Sequence, residues 1–130
     1  MLGTFQQSQL RIEVDASART IADLLLVPEQ WSLWLLPREF YDNLPDKLTP
    51  GTSYSLGQGA IAVTHKVQSV TDHSLRLLLS GGVDGYHEWQ WGEGWVQARL
   101  EGVSLLPLKL SQTLTLGRLR LVAAQRDRSS

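Results

Sequence analysis

Gly85-Tyr-His-Glu-Trp-Gln-Trp-Gly-Glu-Gly-Trp-Val-Gln-Ala-Arg-Leu100 holds three of the chain's five tryptophans around a glycine-rich turn. Each arm alternates with period two, as half-buried strands do. His87, Trp89 and Trp91 share one face of the first arm; Val96, Ala98 and Leu100 share one face of the second. A connection of even length sets those apolar faces together. An odd one would set Trp89 against Gln97 and Glu88 against Ala98. Because a one-residue slip turns every side chain over, the even loop is expected. Gly92-Glu93 fits a two-residue Gly-X loop of type II′. Trp95 and Glu88 then point outward, with Glu88 opposite Gln97. So large an aromatic face either fills a core or lines a cavity.

Outward from this hairpin, short strands are expected at residues 52–56, 60–70 and 74–80. In the second, Ile61, Val63, His65 and Val67 share a face; in the third, Leu75, Leu77 and Leu79 do. Gln58-Gly59, Thr71-Asp72-His73 and Gly81-Gly82 mark the turns. Nearer the start, Leu10, Ile12 and Val14 alternate along a one-sided strand. Asp15 to Ser17 supply helix-capping side chains, and Ile21, Leu24 and Leu25 follow at helical spacing. Pro28 suits the first turn of a second short helix over 28–36, ended by Pro37, with Trp31, Trp34 and Leu35 inward. Residues 37–51 read as a loop. The last segment, 105–125, is ambiguous. Leu106, Leu108, Leu110, Leu114 and Leu116 alternate as in a strand. As a helix it has two apolar stripes: Leu110, Leu114 and Leu121 on one, Leu108, Leu119 and Val122 on the other. Its length and the Ala-Ala-Gln-Arg ending favour helix.

One domain spanning 1–130 is expected, with 42% hydrophobic and 19% charged residues. The net charge of -1 offers no general attraction to nucleic acid or to anionic lipid. The absence of cysteine excludes a disulfide framework, a zinc–thiolate site and cysteine catalysis. No signal peptide or membrane span is read, so a soluble, cytoplasmic protein without stable membrane insertion is expected. From Arg99 onward there are six Lys/Arg and two Asp/Glu, against six and eleven before it. That excess could meet an acidic partner or a membrane surface. The simpler reading, preferred here, is cations complementing a helix C-terminus, followed by a solvated tail.

The order of elements resembles the START-like helix-grip superfamily, also called SRPBCC or polyketide cyclase/lipid-transport domains. Leu10 to Val14, the helical run 18–25 and the tryptophan-bearing Pro28-Glu-Gln-Trp-Ser-Leu-Trp34 carry the likeness. Pro50-Gly-Thr-Ser-Tyr-Ser-Leu56, Lys66-Val-Gln-Ser-Val70 and Leu75 to Ser80 continue it. The resemblance implies an α+β fold: a curved antiparallel sheet wrapped around a C-terminal helix, two short helices after the first strand, and a pocket between sheet and helix. Such pockets commonly hold lipids, polyketides, sterols or other apolar molecules. One strand is missing here or reduced to part of the loop over 39–48. If 105–125 were a strand, a small β-barrel would replace the helix grip.

The expected function is non-catalytic binding of an apolar or amphipathic small molecule, lipid-, polyketide- or pigment-like, in an internal aromatic-lined cavity. Trp31, Trp34, Tyr54, His65, His87, Trp89 and Trp91 are the expected ligand-binding residues. No catalytic residue, metal or cofactor is expected: the three histidines have no metal-ligand spacing, and His73 lies in a turn. Two alternatives stay open. One is a cyclase- or dehydratase-like enzyme using His65, His87 or Glu88 as acid or base. The other is a packed domain acting through protein contacts, by way of Trp95 and the basic C-terminus.

Overall fold

The structure, a computed structural model, describes residues 3–35, 41–42, 44–57 and 62–129. Pro37, Gln58-Gly59 and Ile61 lie outside the described residues. The first strand, β1, spans Thr4–Glu13, longer than expected. Helix α1 follows at Ala18–Leu26, with Ser17 as N-cap: its hydroxyl accepts from Thr20 N–H. The second helix is a 3₁₀ helix over Pro28–Leu33 and stops at Trp34 rather than running to residue 36. Strands β2 (Tyr41–Asp42), β3 (Ser53–Leu56), β4 (Val63–Thr71), β5 (Ser74–Gly81), β6 (Val83–Gly92) and β7 (Trp95–Ser104) come next, and α2 covers Leu108–Ser129. The missing strand therefore survives as the two-residue β2. The ambiguous C-terminal segment is a helix.

Among the described residues the strands form one antiparallel sheet in the order β1-β7-β6-β5-β4-β3-β2. The N-terminal strand closes onto the tryptophan hairpin, pairing Leu10 with Ala98 and Ile12 with Val96. Helix α2 packs on β1 and β7, and α1 packs on α2 and β6. The sheet thus grips the C-terminal helix, as the resemblance implies. Val67 is buried while Ser69 is exposed, because a bulge between them shifts the register and turns Val70 inward.

The hairpin has the expected faces but a different turn. Trp91 pairs with Val96, Trp89 with Ala98 and His87 with Leu100. The loop is Glu93-Gly94, not Gly92-Glu93. The left-handed residue is Gly94 (φ 79°), at the second loop position, where a type II′ turn needs it at the first. Contacts outside the hairpin select this turn. Gly94 N–H donates to Ala16 O and its carbonyl accepts from Val14 N–H, while the Glu93 carboxylate accepts from Ala18 N–H. The loop has moved by one residue, which shifts each cross-strand partner by two and so preserves the faces. Glu88 stands opposite Arg99, and Gln97 opposite Gln90.

Helix α2 buries Leu108, Leu116, Leu119 and Ala123, and leaves the stripe of Leu110, Leu114 and Leu121 exposed. Polar ties hold it in place. Gln6 Oε1 accepts from Leu108 N–H at its start. In its middle, buried Gln112 donates to Ala98 O and accepts from Ser8 Oγ. At its end, Asp127 accepts from Ser17 N–H and Thr20 Oγ.

Candidate functional site

All seven expected ligand residues sit on the concave side of the sheet or on the elements that cover it. Trp31 and Trp34 enter from the 3₁₀ helix and end α1 chemically. The last carbonyls of an α-helix have no partner within the helix. Trp34 Nε1 donates to Leu24 O (2.9 Å), Trp31 Nε1 to Leu25 O (3.1 Å) and Leu48 N–H to Leu26 O (2.9 Å). Both indoles are buried; Leu35, expected inward beside them, is half-buried.

The rings form two runs. In one, Trp31 touches Tyr41 (centroids 5.4 Å apart) and Tyr54 (4.9 Å), and Tyr54 stacks on His65 at 4.7 Å and 6°. In the other, Trp34 meets Trp89 edge-on at 6.1 Å, and Trp89 contacts His87 at 4.7 Å. The runs face each other across β5. His65 on β4 pairs with Leu79, and His87 on β6 pairs with Leu77. Trp91 lies further along β6, fully buried, and makes none of these ring contacts.

Burial decides the charge of the two histidines. It lowers His65 to about 4, although the bond of its Nδ1 to Val63 O at 3.2 Å opposes the shift. Burial lowers His87 to about 3, helped by the proximity of His65. Both rings are therefore neutral at pH 7. Among the described residues, His87 Nε2 is buried without a hydrogen-bond partner, and so is Trp91 Nε1. Burial also pushes the Tyr54 phenol up, keeping it protonated.

The other candidates are engaged elsewhere. Glu88 faces outward in an ion pair with Arg76 at 2.7 Å, and Arg76 also lies over Tyr86. Trp95 points outward under the Arg11 guanidinium, 4.2 Å from the ring centroid. His73 is exposed in its turn, with Nδ1 against Trp91 O. Among the described residues no group of three or more His, Asp or Glu is placed to hold a metal ion. A surface cleft of about 630 Å³ lies between α1 and the end of α2. None of the seven ring residues lines it. Of the charged groups that line it, Arg126 pairs with Asp23 (3.7 Å) and Asp127 binds the start of α1, while Arg19 and Lys47 also line it. Tyr41 was not read from the sequence as part of the site. It stands in a stretch rich in Pro, Asp and Asn, and only its ring contact with Trp31 reveals it.

No family model and no curated protein matches the chain. Solved structures do. Protein CV1439 from Chromobacterium violaceum superposes with a TM-score of 0.72 at 16% identity, over 91% of this chain and 96% of that one. The Aha1 dimer from Colwellia psychrerythraea gives 0.67 at 13%, over 92% and 96%. DynU16, a protein of the dynemicin biosynthetic locus, gives 0.66 at 16%, over 93% of this chain and 48% of that one. The fold is the helix grip. At these identities the likeness carries architecture alone; the two-residue β2 is the reduced strand that was expected within 39–48, and the second helix departs from expectation in its 3₁₀ geometry.

Proposed function

We propose that this helix grip binds a flat apolar or amphipathic small molecule non-covalently, among the rings of Trp31, Trp34, Tyr54, His65, His87, Trp89 and Trp91. The observation that carries the reading is His87 Nε2. A buried polar atom without a partner costs stability, and such atoms are few in folded proteins. A ligand bearing one complementary polar group would satisfy it while its apolar body stacks on Trp89. Affinity would come from buried area, at about 25 cal/mol per Å² before entropy costs. The helix-grip architecture, a sheet closed around a helix, supports this reading. Catalysis is disfavoured. A histidine titrating near 3 or 4 is a poor general base at neutral pH, and Glu88 is turned away from the rings.

A second reading rests on the mutual contacts of the rings: the aromatic cluster is a filled core, and the protein acts through its surface. Native mass spectrometry of gently purified protein, set beside its denatured mass, separates the two. The binding reading expects a discrete extra mass that disappears on denaturation and is weakened by Trp89→Phe and His87→Leu. The bare chain mass, persisting after incubation with a lipid and pigment extract, would favour the filled core.

A further inference from the structure

Helix α2 carries two rows of apolar residues back to back. One row, Leu108, Leu116, Leu119 and Ala123, is buried against the sheet and α1. On the opposite side, Leu110, Leu114 and Leu121 are 57%, 62% and 73% exposed. With Gly117 they follow i, i+4, i+7, i+11 and fall within a strip about 60° wide. A Cβ at Gly117 would touch nothing within 4 Å, so the strip is open there among the described residues. Arg118 and Arg120, both exposed, stand on either side of the strip, about 70–90° from its centre.

The charges are as one-sided as the leucines. α2 holds five of the chain's twelve Lys/Arg and one of its thirteen Asp/Glu, so the rest of the molecule is net negative. That single acid, Asp127, is turned to the start of α1. A helix dipole explains cations in the last turn, Arg126 and Arg128. It does not explain Arg118 and Arg120 in the middle of the helix.

We propose that α2 is a reversible docking element for an anionic lipid surface. The helix lies in the plane of the interface, with Leu110, Leu114 and Leu121 among the acyl chains and Arg118 and Arg120 extended to the lipid phosphates. The negative remainder of the molecule orients this face toward the bilayer. A second copy is a poorer occupant, because two α2 helices would meet with cations on both rims and no free acid. A shaped protein pocket is also poorer. The ridge is purely aliphatic and offers no Trp or Tyr to anchor a protein interface.

The test is co-sedimentation of the full chain with vesicles of equimolar phosphatidylglycerol and phosphatidylcholine, against phosphatidylcholine alone. Binding to the charged vesicles is expected, weakening as salt rises. Leu114→Gln and Leu121→Gln should each lower the partition constant about tenfold. Arg118→Gln and Arg120→Gln should each lower it about fivefold. All four sites are exposed, so unchanged circular dichroism is expected alongside. Absence of binding to the charged vesicles overturns the proposal, whether or not a synthetic acidic leucine-heptad helix binds in their place. Binding that the leucine variants leave unchanged overturns it as well. So does vesicle-free dimerisation that those variants abolish.

Discussion

At the scale of single residues, His65 and His87 show how burial sets chemistry. Each gives up a charge it would carry in water below pH 6.5. The unfolded chain protonates them near that pH, whereas the folded protein resists until about 4 and about 3. Stability is therefore complete above about 6.5, falls as the pH drops below it and levels off once the folded rings titrate. The loss is at most about 1.4 kcal/mol per pH unit for each ring. Urea midpoints at about pH 8, 6.5 and 5 should decline in that order, and less steeply in a His65→Asn/His87→Asn variant. A decline of equal slope in both proteins would assign it to other groups. Trp34 makes a second residue-scale case. Trp34→Phe keeps a ring but removes the donor to Leu24 O, leaving a buried carbonyl unpaired at a cost of about 1–3 kcal/mol. Equal stability in the two proteins would mean that water or another donor replaces the indole.

At the scale of elements, the question is what holds a helix whose sequence has two apolar sides. Packing alone could seat either side on the sheet. Buried Gln112 resolves the choice, because only one rotation of α2 lets it reach both Ala98 O and Ser8 Oγ. Gln112→Leu keeps the volume and strands both partners, so a loss of about 1–3 kcal/mol is expected in chemical unfolding. Unchanged or raised stability would show that the buried leucine row suffices. At the other end of the fold, Ser17 starts α1, and Ser17→Ala should cost about 1 kcal/mol through the lost cap. The same segment explains the hairpin turn. The chain over residues 14–18 bonds to Glu93 and Gly94, so the loop falls there rather than one residue earlier.

At the scale of the whole molecule, curvature and charge polarity matter. Gly85 and Gly102 face each other across β6 and β7. A Cβ at Gly85 would run into Glu101 O, and one at Gly102 would lie 2.7 Å from Asp84 O. The strands approach there more closely than any side chain allows. Gly85→Ala should cost about 1–3 kcal/mol, read as a lower thermal midpoint. An unaltered midpoint would mean that the two strands can separate without loss. The convex face carries the opposite design. Arg76–Glu88 and Arg99–Glu101 ion pairs, with Gln7 bonded to Glu101, cover it with paired charge. The excess of Lys and Arg over acids is confined to α2.

The sequence alone determined which faces of the strands turn inward, because period-two alternation admits only one burial solution. It also determined the start of α1, the inward tryptophans and the order of elements behind the helix grip. It left open whether 105–125 is strand or helix, since leucines at both spacings satisfy either pattern. The buried row at helical spacing, seated on β1 and β7, decided that. Only the tertiary structure placed Tyr41 beside Trp31, gave the tryptophan N–H groups to α1, moved the turn to Glu93-Gly94 and left His87 Nε2 without a partner. These are contacts between segments far apart in the chain. Local periodicity reports whether a side chain faces the core, but not which atom it finds there.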